Sequence, residues 1–277
     1  MTSLLLDDVA GLSSDSKACL RRLASEDDSV SANALMKETM GMAVEQRKRP
    51  QSAAVMVALF VGRLGDLHVL LSQRSQLLTA YPGDTCLIGG RCDSGDSSVE
   101  DTARREAEEE IGLPVDEHRV RHVATLSPHL AGNGSGSDSH GIIVWPVVCL
   151  ITDRSLVPML NEDEVQRLFS HPLQSFLAHH PDSVLSRLGH LHSTELYHWH
   201  FDDTDPVAPQ HTLRKHVFET GRQEVKPILG FTARVLIRVA AIAFEQMPRF
   251  DVDAPAQLRE SDRVEIAQGT LKRKAKL

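Results

Sequence analysis

The chain has 277 residues, 41% of them hydrophobic and 25% charged, with a formal net charge of −8. That composition reads as an ordinary globular protein, long enough to bury a core without covalent or metal staples, and its acidity excludes general nucleic-acid binding through a basic surface. Cys19, Cys86, Cys92 and Cys149 lack the paired short spacing of zinc or dithiol sites, and no apolar run approaches the ~20 residues a membrane span needs.

Residues 1–50 read as a polar, partly helical N-terminal extension, with helical character around Ser31 to Arg47 and Pro50 closing it. Its opening stretch contains acids and only three consecutive leucines, unlike a signal or transit peptide. Residues 53–61 and 67–71 are apolar strand candidates, and Gly62 to Asp66 between them supplies the turn of a hairpin. A charged helix is expected from about Ser98 to Ile111, then strands around 120–126 and 141–151. The glycine- and serine-rich stretch 131–138 reads as a mobile loop. Asn161 to Leu177 looks partly helical with Pro172 as an interruption, 197–201 is a strand candidate, and Lys226 to Phe244 is an apolar helix entered through Pro227. Residues 248–277 read as a polar tail. Strands flanked by a few helices make one mixed α+β domain over about 51–247.

The most informative stretch runs from Gly89 to Leu113. Ser98 with Asp101, or Ser97 with Glu100, can cap the helix, and Gly112 and Pro114 stop it. At about 100° per residue, Glu106, Glu109 and Glu110 share one arc. Val99, Ala103, Ala107 and Ile111 form an adjoining apolar stripe, so Glu106 and Glu110 border the buried face. Clustered, partly desolvated carboxylates raise one another's pKa values, and a hard divalent cation such as Mg²⁺ or Mn²⁺ relieves that penalty. Arg105 lies four residues before Glu109, within reach of its carboxylate. A bare Arg-Glu-Ala-Glu-Glu-Glu string more often marks a solvated acidic helix; the Gly89-Gly90 pair before it and Ile111-Gly112-Leu113 after it set this one apart.

Arg105-Glu106-Ala107-Glu108-Glu109-Glu110-Ile111-Gly112-Leu113 resembles the REUxEExGU half of the Nudix box, and Gly89-Gly90 its opening glycines. The interval from Gly90 to Arg105 is one residue longer than the general motif, and Asp96 stands where a first glutamate is usual. Both departures resemble the coenzyme A diphosphatase branch, fungal peroxisomal members above all. Leu70 to Ser75, Gly83-Asp84, Val144 to Val148, Leu160 to Val165 and Leu229 to Ala233 are also similar to that branch, so the likeness covers about 53–245. Thr79, Tyr81 and Ile88 depart from its upstream signature.

The resemblance implies the Nudix fold, a mixed β-sheet sandwiched between helices (α/β/α). It implies Mg²⁺ or Mn²⁺ held by Glu106, Glu109, Glu110 and the Gly90 carbonyl, with Arg105 in the catalytic set. Gly89 and Gly90 are expected substrate contacts, and Arg74 suits bidentate binding of a substrate phosphate, with a structural ion pair as the alternative. The expected substrate is coenzyme A or acyl-coenzyme A, cleaved to 3′,5′-ADP and 4′-phosphopantetheine or its acyl form. Another Nudix substrate (8-oxo-dGTP, ADP-ribose or capped RNA) stays open, as does an inactive domain used for binding. The general base is left among the box glutamates, Glu164 and Glu162. The terminal Ala275-Lys276-Leu277 is similar to a peroxisomal address read by an import receptor, with the cytoplasm as the alternative. His198 and His200, alternating about Trp199, read as polar-face histidines of a strand, and His179-His180 as a solvated helix end.

Overall fold

The computed structural model describes residues 9, 11–40, 51–132, 141–180, 196–222 and 224–268. Its centre is strand β1 (Gln51–Val61), apolar on both faces because both are covered. β1 turns through Gly62 to Asp66 into antiparallel β2 (Leu67–Arg74), and Gly65 at φ 79° supplies the left-handed conformation of that turn. The short strand β3 (Thr85–Cys86) pairs with β2, and β4 (Ile88–Arg91) pairs with β1. β5 (Val120–Thr125) and β6 (His129–Ala131) pair with β7 (Ile142–Ile151), and β8 (Val165–Pro172) pairs with β2. β7 runs parallel to β1 from Gln51↔Ile142 to Leu59↔Leu150, among otherwise antiparallel pairs, so the sheet is mixed.

Alternation along β1 sorts the core. Ala54, Met56 and Ala58 face α3 (Val99–Ile111), α2 (Ser29–Met40) and α5 (Glu260–Gln268). Val57 and Leu59 face α1 (Ser14–Ser25) and α4 (Gly230–Phe244). The layers are therefore helix, sheet, helix, as the sequence led us to expect. A second sheet, in the order β11-β10-β9, is built from β9 (His198–Thr204), β10 (Thr212–Phe218) and β11 (Ile228–Leu229).

Several elements differ from the sequence reading, each because partners distant in the chain decide them. The N-terminal region holds two helices: α1 is capped by the Ser13 hydroxyl and buries Cys19, Leu20 and Leu23, and α2 begins at Ser29. Within Asn161 to Leu177, expected partly helical, 165–172 is strand β8, whose ladder partner is β2. Only Leu173–Leu177 is helical, as a single 3-10 segment. Pro227 leads into strand β11, and α4 starts at Gly230. The stretch read as a polar tail contains α5, whose Arg263 is 1% exposed. Arg263 bonds Asp205 through Nε at 2.7 Å and Nη2 at 3.2 Å, and Glu260 through Nη1 at 2.7 Å. Most of the expected loop 131–138, and the terminal tripeptide 275–277, lie outside the described residues.

His198 is not on a solvated face; it is fully buried, while His200 on the same face is exposed. His216 Nε2 lies 2.8 Å from the Val252 carbonyl oxygen, so that nitrogen carries the proton. His216 Nδ1 then accepts from His198 Nε2 at 3.0 Å, and His198 Nδ1 accepts from His179 Nδ1 at 3.1 Å. One direction of donation runs through all three rings, from His179 to His198 to His216. Phe250 stacks on His198, ring centroids 3.8 Å apart, which removes the water that a charged imidazole would need.

Candidate active site

Helix α3 is specified by its own ends. The Ser98 hydroxyl accepts the Asp101 amide at 3.0 Å, and Gly112 takes the left-handed conformation at φ 67°. The Leu113 amide reaches back to the Ala107 carbonyl at 3.1 Å, closing a Schellman motif. Val99, Ala103, Ala107 and Ile111 are each 1% exposed or less, which fixes the helix's rotation on the sheet. That rotation grades the acids. Glu109 is exposed, the Glu106 side chain is 16% exposed and Glu110 is 7% exposed.

Burial raises the Glu110 pKa to about 8, with the nearby Glu106 and Glu164 carboxylates adding to it and the Gly89 amide and Arg74 opposing. Burial likewise raises Glu106; Arg105 opposes, and Glu109 and Glu164 add. Glu164 sits at the head of β8, where its carbonyl accepts the Ser75 amide at 2.8 Å. Of the two downstream acids named from sequence, Glu164 is the one whose charge acts on both helix glutamates.

Arg105 organises the opposite flank. Its guanidinium forks onto Asp96, Nε to Oδ1 and Nη2 to Oδ2 at 3.0 Å each. Nη1 bonds Glu106 at 3.0 Å and Glu109 at 3.2 Å, and Nη2 also donates to the Arg91 carbonyl at 3.0 Å. Asp96 further accepts from the Thr102 hydroxyl and the Asp93 amide, both at 2.8 Å. The sequence marked Asp96 as a departure from a motif; folding makes it the residue that holds Arg105.

The two glycines do different work. Gly89 has φ 147°, and a β-carbon there would lie 2.3 Å from the Ala54 carbonyl oxygen on β1. A β-carbon on Gly90 would instead lie 2.4 Å from Oε1 of Glu106. Arg74 is half-buried at the end of β2, with Nε donating to the Ala80 carbonyl at 3.3 Å, and its charge acts on both Glu110 and Cys86. The structure thus brings Glu106, Glu109, Glu110, Arg105, Gly89, Gly90 and Arg74 to one end of α3.

Among the described residues no three His, Cys, Asp or Glu side chains converge on a ready coordination point. The donor chemistry still fits a hard divalent cation. Two desolvated carboxylates with raised proton affinity face a third acid, and the β-carbon-free backbone at Gly90 leaves the space that Glu106 occupies.

The NUDIX domain family model matches residues 50–190, and the chain belongs to that family. It is 34% identical over 210 residues to Nudix hydrolase 22, chloroplastic, of Arabidopsis thaliana, covering 76% of this chain and 61% of that one. It is 32% identical over 200 residues to the peroxisomal coenzyme A diphosphatase NUDT7 of Mus musculus, covering 72% and 73%. The match therefore spans less than two thirds of the plant relative's own length. Among solved structures, a Nudix hydrolase from M. smegmatis, RenU, is similar at 20% identity and a TM-score of 0.36, over 45% of this chain and 72% of that one.

Proposed function

We propose that this chain hydrolyses the diphosphate linkage of coenzyme A or its thioesters, releasing 3′,5′-ADP and 4′-phosphopantetheine or its acyl form. The observation that carries the diphosphatase reading is the buried Glu110 carboxylate, on the same helix face as Glu106 and within the field of Glu106 and Glu164. Such a cluster either takes up a proton or binds a positive ligand, and a divalent cation relieves the repulsion while leaving all the carboxylates ionised. Glu106, Glu109, Glu110 and the Gly90 carbonyl would hold Mg²⁺ or Mn²⁺. When bound, the cation neutralises diphosphate oxygens and lowers the pKa of a water.

The chain's own residues supply orientation and proton handling. Arg105, locked by Asp96, keeps the Glu106 and Glu109 carboxylates from swinging away. Arg74 presents a planar donor beside Glu110, suited to a phosphate oxygen. Glu164, whose charge reaches both Glu106 and Glu110 and whose backbone is tied to Ser75, is our choice of general base. Coenzyme A is favoured by the longer glycine loop between Gly90 and Arg105 and by relatives named as coenzyme A diphosphatases, one from mouse and one from Saccharomyces cerevisiae.

The same two relatives are named as peroxisomal, which supports a peroxisomal location and an import receptor as partner. Among the described residues no helix is long and apolar enough to cross a membrane. The test of substrate is a Mg²⁺- and Mn²⁺-dependent hydrolysis screen with coenzyme A, octanoyl-coenzyme A, ADP-ribose, 8-oxo-dGTP and capped RNA. Turnover highest with the first two is expected; preference for any of the others replaces the coenzyme A reading. Loss of residues 275–277 should leave a tagged chain in the cytosol, and unchanged import contradicts the location.

A further inference from the structure

On the outer face of the second sheet, Trp199, Phe201 and Leu229 stand about 39–43% exposed, an apolar surface that costs free energy in water. With Val217 and Pro227 they line a cavity of about 210 Å³, rimmed on one side by Asp84, Thr85 and Lys226. That rim has little polar capacity to spare. Lys226 Nζ is bonded to Asp84 at 2.7 Å and to the Pro82 carbonyl at 2.8 Å, and the Thr85 hydroxyl donates to the Lys226 carbonyl at 2.8 Å. The cavity therefore offers shape and apolar contact, without a free charge for a phosphate.

Its size is below the ~300–1,000 Å³ of pockets that enclose a whole ligand, so it suits one end of a ligand anchored elsewhere. The neighbouring anchor is close along the chain. Asp84 lines the cavity, and its carbonyl accepts the amide of Arg74, the candidate phosphate contact, at 2.9 Å. Strand β3 is two residues long, ends the sheet path and packs against β11, so the cavity adjoins the sheet edge next to Arg74.

We propose that this cavity receives the acyl tail of a coenzyme A thioester whose diphosphate is held at α3, with Trp199 and Phe201 as the residues that set preference for an acylated substrate. The inference rests on the coenzyme A reading above. Burying each methylene of the chain there strengthens binding by about fourfold, so a chain of several carbons separates acylated from free coenzyme A clearly.

The test compares apparent binding, read as KM with Mg²⁺ present, of the full chain for coenzyme A and octanoyl-coenzyme A, for wild type, Trp199→Ala and Phe201→Ala. Wild type should bind the octanoyl thioester at least about tenfold more tightly, and both variants should bring the ratio towards one while leaving free coenzyme A unchanged. Both side chains are substantially exposed, so the variants keep the fold; Leu229→Asp from a second strand provides an independent check. Equal binding of the two ligands by wild type, or a ratio unmoved in the variants, overturns the proposal and leaves the coenzyme A reading standing. No binding of coenzyme A in any form overturns both. A change of oligomeric mass in Trp199→Ala without a change in the ratio assigns the face to a second copy of the chain and also overturns it.

Discussion

The Glu106 carboxylate occupies the space where Gly90 would carry a side chain: a β-carbon built there lies 2.4 Å from Oε1, 2.5 Å from Cδ and 2.6 Å from Oε2. Its neighbour Gly89 faces the backbone of β1 instead. Two adjacent alanine substitutions should therefore fail differently. Gly90→Ala displaces the movable end of a side chain, so stability changes by less than about 1 kcal/mol while activity falls at least roughly tenfold. Gly89→Ala meets an unyielding carbonyl at a positive φ and should cost about 1–3 kcal/mol or more. Urea unfolding beside a diphosphatase assay separates the two.

Removal of the divalent cation should expose the strain around Glu110. Its native pKa, about 8, lies above the ordinary 4.5, so the folded protein holds a proton there that the unfolded chain gives up at pH above about 4.5. In a chelator, stability is lowest above pH 8 and rises as the pH falls towards 4.5 on this account. Glu110→Gln should raise the melting temperature in a chelator at about pH 9 and abolish the further rise that Mg²⁺ gives wild type. A lower melting temperature in the variant under those conditions contradicts the assignment.

The three-histidine chain predicts an acid limb of opposite sign. Burial, then the neighbouring His216, His179 and His200, lowers His198 to about 3. Burial lowers His216 to about 4, opposed by its bond to the Val252 carbonyl, with His200, Arg214 and Arg234 lowering it further. Both rings stay neutral in the native state while the unfolded chain protonates them near 6.5. Stability is full above about pH 6.5 and is lost as the pH falls towards 4 and then 3, by up to about 1.4 kcal/mol per pH unit for each ring. NMR should show the His198 and His216 imidazole signals, like that of the buried His129, unmoved between about pH 7.5 and 5.5.

Helix α5 is tied to the domain by a buried ion pair, so its removal should be costly. Arg263→Met leaves Asp205, itself buried, without its partner and should destabilise by roughly 3–5 kcal/mol. The double variant Arg263→Met, Asp205→Leu should recover most of that loss. Additive losses in a double-mutant cycle would mean that the two residues do not act as a pair.

The glutamate helix was legible because its signals are local. Cap, stripe, acids and stop all fall within residues 98–113, and the arc placing Glu106 and Glu110 beside the apolar stripe follows from helical period alone. The β1–β2 hairpin was legible for the same reason. What was not legible depends on contacts far along the chain. The alternation of His198 and His200 was visible, but the burial of His198 comes from Phe250 and His216. Nothing near Arg263 announces Asp205, 58 residues away. Residues 165–172 became a strand because β2 offered an open edge, and Asp96 could be recognised as Arg105's anchor only after the loop had folded over the helix.

The most direct measurement is product analysis of coenzyme A incubated with Mg²⁺ and either wild type or Glu109→Gln, each shown to be folded by circular dichroism. Wild type should yield equimolar 3′,5′-ADP and 4′-phosphopantetheine, and the variant should fall at least about 10²-fold, as wild type does in a chelator. Turnover by Glu109→Gln within a few-fold of wild type, or turnover by wild type that persists in the chelator, would contradict the account.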